Sequence, residues 1–165
     1  MRSILAQGLV LTTLLIAGIV QADDKATARR WTLLEGDQAA ILIHQCTRES
    51  PIAIQDVWMP EAPVIKRLNA GLHDITKLRS TLCCGAGERV ADVGRHNLQY
   101  AGLVIEGRKL IYINALPVDS TYTDWRNMAV LACDPSKDFW GVLYDPATGA
   151  FSDLAFNGEP DTEGH

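Results

Sequence analysis

Four cysteines are the residues of this chain whose type is best suited to chemistry, namely Cys46, Cys83, Cys84 and Cys133. An even number of cysteines in an exported chain favours disulfides. A bond between Cys83 and Cys84 would need a strained ring, because neighbouring Cα atoms lie only about 3.8 Å apart. The sequence therefore predicts that Cys83 and Cys84 pair with different partners, Cys46 and Cys133. A vicinal bond, a single Cys46–Cys133 bond and free thiols are the alternatives.

Catalytic and metal-binding roles for these cysteines have little support in their spacing. Redox proteins commonly use a Cys-X-X-Cys motif, which the chain lacks. A cysteine nucleophile would need a free thiolate beside a base such as His44 or His96. His44 and Cys46 are two residues apart and point in different directions on a helix. The histidines are scattered without metal-ligand spacing, so we predict no catalytic residue, no metal and no cofactor.

Acidic residues cluster at Asp134, Asp138 and Asp145, beside proline and glycine residues that favour turns. They do not follow the pattern of a calcium-binding EF-hand loop, so we interpret them as turn residues. An acid pair of the glycosidase kind requires only that two carboxylates meet in the fold. A small periplasmic hydrolase with an unrecognised acid pair is therefore the alternative function.

The segment Tyr122 to Arg126 is the best candidate for a contact surface. Its members Tyr122, Asp124, Trp125 and Arg126 combine aromatic, acidic and basic side chains in a crossover between two predicted strands. Aromatic residues and arginine dominate the energetics of protein interfaces, and recognition is commonly placed on loops. We predict that this contact loop binds a protein partner. The alternative is that its aromatic side chains fill the core.

The first residues have the pattern of a secretory signal. Arg2 supplies a positive charge, an apolar stretch follows from Ile4 to Val20, and Ala22 completes a cleavage site. An uncleaved anchor is the alternative, but the apolar core of about a dozen residues is short against the roughly 20 that span a bilayer. We predict cleavage after residue 22, one domain over 23–158 and a loose tail over 159–165. The mature protein would be periplasmic or secreted, without a stable membrane anchor.

The net charge of the chain limits the classes of molecule that it can bind as a partner. The chain has 15 basic and 20 acidic residues and a formal net charge of −5. A net negative charge argues against nucleic acid as a partner, because the phosphate backbone attracts basic surfaces. It would suit a basic protein partner. The alternative is that mild acidity only favours solubility.

Two helices are predicted in the first half of the chain. The first opens at Gly36-Asp37, with Asp37 as a possible cap, and ends before Pro51. The second runs from Glu61 to Arg79, because apolar residues recur there on one face of a helix: Ile65, Leu68, Leu72, Ile75 and Leu78.

The second half of the chain has the features of an antiparallel sheet. Gly107 suits a tight hairpin turn, and Pro146 to Gly149 suits a second turn. The predicted strands are Leu98–Ile105, Lys109–Leu116, Met128–Cys133, Phe139–Tyr144 and Ala150–Phe156.

Helices followed by strands predict an α+β fold. We expect two N-terminal helices packed on one face of a four- or five-stranded antiparallel meander sheet, stapled by disulfides. With no catalytic motif in the sequence, we predict a small exported binding module, of the inhibitor or immunity type, that acts on a secreted or envelope protein.

Overall fold

A computed structural model describes residues 30–82 and 84–159 of the chain. These residues form a mixed α+β fold around one six-stranded sheet. The elements are β1 Trp31–Leu33, α1 Gly36–Ile41, β2 Ile54–Val57, α2 Ala62–Gly71, β3 His96–Ile105, β4 Arg108–Pro117, β5 Trp140–Asp145 and β6 Ala150–Phe156. The predicted signal segment, Cys83 and residues 160–165 lie outside the described residues.

The predicted meander is confirmed for β3 to β6, which pair antiparallel in chain order. Glu106 and Gly107 join β3 to β4 with φ values of 51° and 75°. Two successive positive φ angles match the right-handed twist of the flanking strands, which is why this hairpin turn favours glycine. The turn between β5 and β6 is also confirmed, since the Gly149 amide donates to the carbonyl oxygen of Asp145 at 2.7 Å.

Two short strands extend the sheet beyond the meander, and the sequence analysis missed both. β1 runs parallel to β3, with Trp31 opposite Leu98. β2 runs antiparallel to β3, with Ile54 opposite Ile105. Both therefore occupy the same edge of β3, at its two ends. Three or four residues are too few for a period-two pattern to emerge from the sequence.

The two helices pack on opposite faces of the sheet, so the expectation that both cover one face is wrong. Leu42, which ends α1, packs with Leu110 and Tyr112 of β4. Leu68 of α2 packs with Ile111, on the other side of the same strand. Successive side chains of a strand point to opposite faces, and the central strands are buried on both. We call the two sides of the sheet the α1 face and the α2 face.

The second predicted helix is confirmed in position, although it tightens towards its end. α2 is followed directly by a 3-10 helix over Leu72–Lys77. Ile65, Leu68 and Ile75 are buried in the core of the α2 face, and Leu72 packs against it half-buried. Pro63 lies in the first turn, where its missing N–H is not needed. In residues 30–82 and 84–159, no helix has the length and apolar character needed to cross a bilayer.

Leu68→Ala should lower the free energy of unfolding by about 2–5 kcal/mol, because the substitution removes buried methyl groups and leaves a cavity. The wild-type side chain is 0% exposed. Urea unfolding followed by circular dichroism measures the loss. Lys66→Ala, at an exposed position of the same helix, is the control and should change the stability by less than about 0.5 kcal/mol. An equal effect of the two substitutions would contradict the packing described here.

The predicted strand Met128–Cys133 is wrong, because this segment is extended but pairs with no other strand. Instead, the side-chain amides of Gln99 in β3 and Asn114 in β4 form hydrogen bonds with its backbone. Gln99 accepts from the Val130 amide at 2.9 Å and donates to the Met128 carbonyl oxygen at 2.6 Å. Asn114 donates to the Val130 carbonyl oxygen at 3.0 Å. Buried backbone groups need partners, and here side chains rather than a neighbouring strand supply them.

Candidate functional site

The predicted contact loop is a turn anchored on the α1 face. Asp124 and Arg126 are exposed, and Tyr122 is half-buried with its ring edge-on to Phe139, 6.2 Å between centroids. Asp124 stabilises the turn, because its carboxylate accepts from the Asn127 side-chain amide at 2.7 Å. The four residues are thus brought close together by sequence proximity and a local turn.

Trp125 is buried, although the sequence analysis grouped it with the contact residues. Only 6% of its surface is exposed, and it packs with Leu116 and Phe139 in a small apolar cluster. The Arg126 guanidinium lies over its outer side, 4.2 Å from the ring centroid. The indole therefore anchors the loop, and only the polar residues around it are available for contact. The role of this loop in binding a partner stays a prediction.

The cysteines pair differently from the prediction. Cys46 and Cys133 form a disulfide, with their Cα atoms 4.9 Å apart. That bond excludes the expected pairing of both residues with the Cys83-Cys84 connector. Cys84 also takes part in a disulfide, and its partner lies outside the described residues. The physical reason for the error is that α1 and the segment before β5 meet on the same face of the sheet, which the linear spacing does not reveal.

His96 lines a cleft of about 250 Å³ together with charged side chains that include Arg95 and Asp138. Both ring nitrogens are engaged: Nδ1 lies 3.1 Å from the carbonyl oxygen of Asp92, and Nε2 lies 3.1 Å from that of Asp138. Burial lowers the pKa of His96, while the two carbonyl oxygens act in the opposite direction. A neutral imidazole carries one N–H, so only one of these carbonyl oxygens can accept from the ring at a time. Both ring nitrogens are nevertheless directed at the backbone, which makes this histidine a poor candidate for a general base.

The three turn-associated aspartates have the structural role that the sequence indicated. Asp134 accepts from the Ser136 amide and Asp145 from the Ala147 amide, each at 2.8 Å. Asp138 accepts from the Ser136 hydroxyl at 3.0 Å. Such contacts stabilise turns. Among residues 30–82 and 84–159, no group of three or more His, Cys, Asp or Glu side chains could hold a metal ion.

The loop between α1 and β2 has the strongest features of a binding surface. Ile52 is 82% exposed, which is unusual for a large apolar side chain next to other apolar residues. With Ile43 and Ile54, which are half-buried, it lines an open groove of the surface. We call Ile43, Ile52 and Ile54 the isoleucine patch. Contiguous exposed apolar surface is typical of interaction sites.

The backbone of this loop is strained at one position. Ala53 has a φ of 60°, a left-handed conformation that costs free energy for any residue with a side chain. Immediately after it, Ile54 pairs with Ile105 of β3 and begins β2. The strained residue therefore lies directly between the exposed Ile52 and the first residue of β2. Strain of this kind persists only where the surrounding structure holds it, and it clusters at functional sites.

Buried polar contacts hold the other end of the loop. Arg48 is only 6% exposed, and its guanidinium donates to the Tyr112 hydroxyl at 3.1 Å and to Oδ1 of Asn157 at 2.6 Å, and also to Oδ1 of Asn114. The neighbouring Cys46 is tied to Cys133. The loop is thus anchored at both ends, by Arg48 and the disulfide before it and by the pairing of β2 with β3 after it.

The sequence did not indicate this loop, because Ser50-Pro51 marks the end of the first predicted helix and no element is predicted between Pro51 and Glu61. One signal was present: the apolar stretch Ile52-Ala53-Ile54 directly follows a proline in a segment for which no element is predicted. An apolar stretch of this kind in a loop needs either a burial site or a partner.

Comparison of the chain with family models, with curated proteins and with solved structures finds no match.

Proposed function

We propose that this protein is a small binding module of the periplasm or the cell exterior, of the inhibitor or immunity type, and that it holds a protein partner on the isoleucine patch. The observation that supports this proposal is Ile52, which is 82% exposed on an anchored loop. An exposed apolar side chain on a loop that is anchored at both ends can serve as an interface anchor.

The predicted contact loop lies on the same face of the sheet. The side chain of Gln38 in α1 accepts from the Ala129 amide at 2.8 Å, which places the segment after the contact loop beside α1. Exposed Asp124 and Arg126 would then supply polar contacts to a partner centred on the isoleucine patch. An apolar centre with a polar rim is the usual anatomy of an interface.

The proposed compartment and partner charge rest on general chemistry. Disulfides persist in oxidising compartments, and the Cys46–Cys133 bond is compatible with a periplasmic or extracellular location. A formal net charge of −5 favours a partner more basic than this chain.

Ile52→Ser should weaken partner binding by at least roughly tenfold, because it removes the central apolar contact. The experiment immobilises residues 23–165 and compares what each variant retains from a periplasmic extract by quantitative mass spectrometry. Met59→Ser is the matched control, since Met59 is also an exposed apolar residue, at 49%, and belongs neither to the patch nor to the contact loop. Both variants should unfold in urea as the wild type does.

The proposal fails if every protein retained by the wild type is retained equally by Ile52→Ser. An added Arg126→Ala variant distinguishes binding through the contact loop from binding through the isoleucine patch. A loss with Arg126→Ala and none with Ile52→Ser would place binding on the contact loop alone.

A further inference from the structure

Residues 129–134 lie on the α1 face as an extended segment, although none of the described strands pairs with them. We call this segment the strap. Its side chains alternate, because Val130 and Ala132 are buried whereas Leu131 is half-buried and Cys133 is exposed. The strap thus has the side-chain pattern of a β-strand without a partner strand.

Side-chain amides take the place of the partner strand. They come from the loop after α1, from β3, from β4 and from the chain after β6, and all but the first are buried. We call them the amide row: Gln45, Gln99, Asn114 and Asn157. Buried amides need hydrogen-bond partners, and the backbone of the strap supplies partners to all four.

The amide row binds backbone groups of alternate strap residues. The Val130 amide donates to Oε1 of Gln99 at 2.9 Å, and the Val130 carbonyl oxygen accepts from Asn114 at 3.0 Å. Two residues further on, the Ala132 carbonyl oxygen accepts from Asn157 at 2.9 Å. When a peptide adds as a strand to a sheet edge, its main chain supplies the hydrogen bonds and its alternate side chains fill pockets. The amide row offers the same two kinds of contact, so another extended chain could make them.

A disulfide fastens the strap to the rest of the fold. Cys133 lies in the strap, and its partner Cys46 follows α1. Both cysteines are exposed, and exposed disulfides are the ones most open to exchange with a thiol. The bond that holds the strap on the amide row is therefore accessible from solvent.

We propose that the amide row is a binding site for an extended segment of a partner polypeptide, that the strap fills this site in the oxidised protein, and that reduction of the Cys46–Cys133 bond opens it. The reductant is a dithiol of a partner protein. One of its thiolates attacks the disulfide, its second thiol completes the exchange, and Cys46 and Cys133 become thiols while the partner's own disulfide forms. The inference uses no residue of the isoleucine patch.

The strap indicates the chemistry of the segment that the open site takes. Val130 and Ala132 bury small or branched apolar side chains two residues apart. The N–H groups of both residues also donate to the amide row. The incoming segment therefore has small apolar residues at two alternate positions, and neither of them is proline, which has no N–H.

Joint Cys46→Ala and Cys133→Ala substitution removes the fastening and leaves the disulfide of Cys84 in place. Amide hydrogen exchange followed by NMR compares the amides of Val130 and Ala132 with those of β4, which lies between β3 and β5 in the sheet. The ratio of the two protections cancels any change in global stability. It should fall at least roughly a hundredfold in the double variant, because the strap then opens without unfolding of the sheet.

A fluorescent peptide with the sequence of residues 127–134 and the substitution Cys133→Ser probes the open site. By fluorescence anisotropy it should bind the double variant at least about tenfold more tightly than the wild type, because a site that is closed most of the time binds in proportion to its open fraction. The same peptide N-methylated at Val130 lacks the N–H that Gln99 accepts. It should bind at least about threefold more weakly.

Gln45→Ala in the double variant tests the amide row itself. Gln45 donates to the Val130 carbonyl oxygen at 3.1 Å and accepts from the Ala132 amide at 3.4 Å, so its loss should weaken peptide binding by at least about threefold. Gln55→Ala, at an exposed glutamine of β2, is the matched control and should not change it.

Four outcomes overturn the inference. The first is an unchanged protection ratio in the double variant. The second is loss of protection in β4 together with the strap, because the strap then does not open separately from the sheet. The third is a peptide that binds neither protein or binds both equally, and the fourth is a Gln45→Ala variant that binds the peptide as its parent does.

Discussion

Joint replacement of Cys46 and Cys133 by alanine should lower the free energy of unfolding by about 4–5 kcal/mol. The two residues are separated by 87 positions, and a cross-link that closes so long a loop removes much of the conformational entropy of the unfolded chain. Both residues are exposed, so their truncation removes little buried apolar surface. The loss therefore reports on the cross-link itself. Urea unfolding of the double variant against the wild type, without reductant, measures it.

Two controls make this measurement specific. Dithiothreitol should destabilise the wild type by at least as much as the double substitution does. The double variant should respond to the reductant much less. A loss below about 1 kcal/mol in the double variant would contradict the prediction, and would mean that the unfolded chain keeps enough residual structure to lose little entropy on cross-linking.

The disulfide also links the stability of the fold to the candidate site. It joins the loop that ends at Ile52 to the extended segment that ends at Cys133. Thr47 adds a bond from its hydroxyl to the Asp134 carbonyl oxygen at 3.3 Å, and the Gly158 amide donates to the Thr47 carbonyl oxygen at 2.9 Å. Three separate parts of the chain, around Thr47, Asp134 and Gly158, therefore meet beside the disulfide.

The features that the sequence predicted well are those that local chemistry determines. Gly107 marked the hairpin between β3 and β4, and Gly149 the turn before β6, because positive φ angles there favour glycine. The last strand was predicted with its observed limits, Ala150–Phe156. α2 was predicted from a stripe at helical spacing, of which Leu68 and Ile75 are completely buried.

The features that the sequence predicted poorly depend on contacts between residues that are far apart along the chain. The strands β3 and β4 are apolar almost without alternation, and residues Leu110 to Leu116 are all buried. A strand buried on both faces implies layers on both sides of the sheet, whereas the order of helices and strands along the chain predicts a layer on one side only. Met128–Cys133 has the composition of a strand, but the side chains of Gln99 and Asn114 form hydrogen bonds with its backbone groups, so these do not pair with a neighbouring strand.

The sequence did not indicate the candidate site, for a related reason. Arg48 is buried by a fold that brings Asn114 and Asn157 to it from positions 66 and 109 residues away. No local pattern indicates such a burial, since arginine is mostly exposed in proteins. The residues predicted to form a contact surface, from Tyr122 to Arg126, combine types that are common in interfaces. The same aromatic types are common in cores, and burial alone separates the two roles.

Trp125→Ala should lower the free energy of unfolding by about 3–5 kcal/mol, the range found for truncation of a buried tryptophan. The ring is enclosed by Leu116, Val130 and Phe139, and its loss leaves a cavity beneath the contact loop. The Gln99 side chain, which donates to the Trp125 carbonyl oxygen at 2.6 Å, cannot refill that space because it also holds the Met128 backbone. Urea unfolding followed by circular dichroism avoids the change in fluorescence that removal of a tryptophan causes.

Arg126→Ala is the matched substitution, because it removes the group that lies over the same ring at 4.2 Å. A contact between a guanidinium and an aromatic ring at the surface contributes only about 0.5–1 kcal/mol, so this variant should remain nearly as stable as the wild type. If the contact loop binds a partner, Arg126→Ala weakens the complex while the fold stays intact, and Trp125→Ala weakens it only through unfolding. The opposite result, a stable Trp125→Ala variant that no longer binds, would show that the indole contacts the partner directly and would contradict its burial in the core.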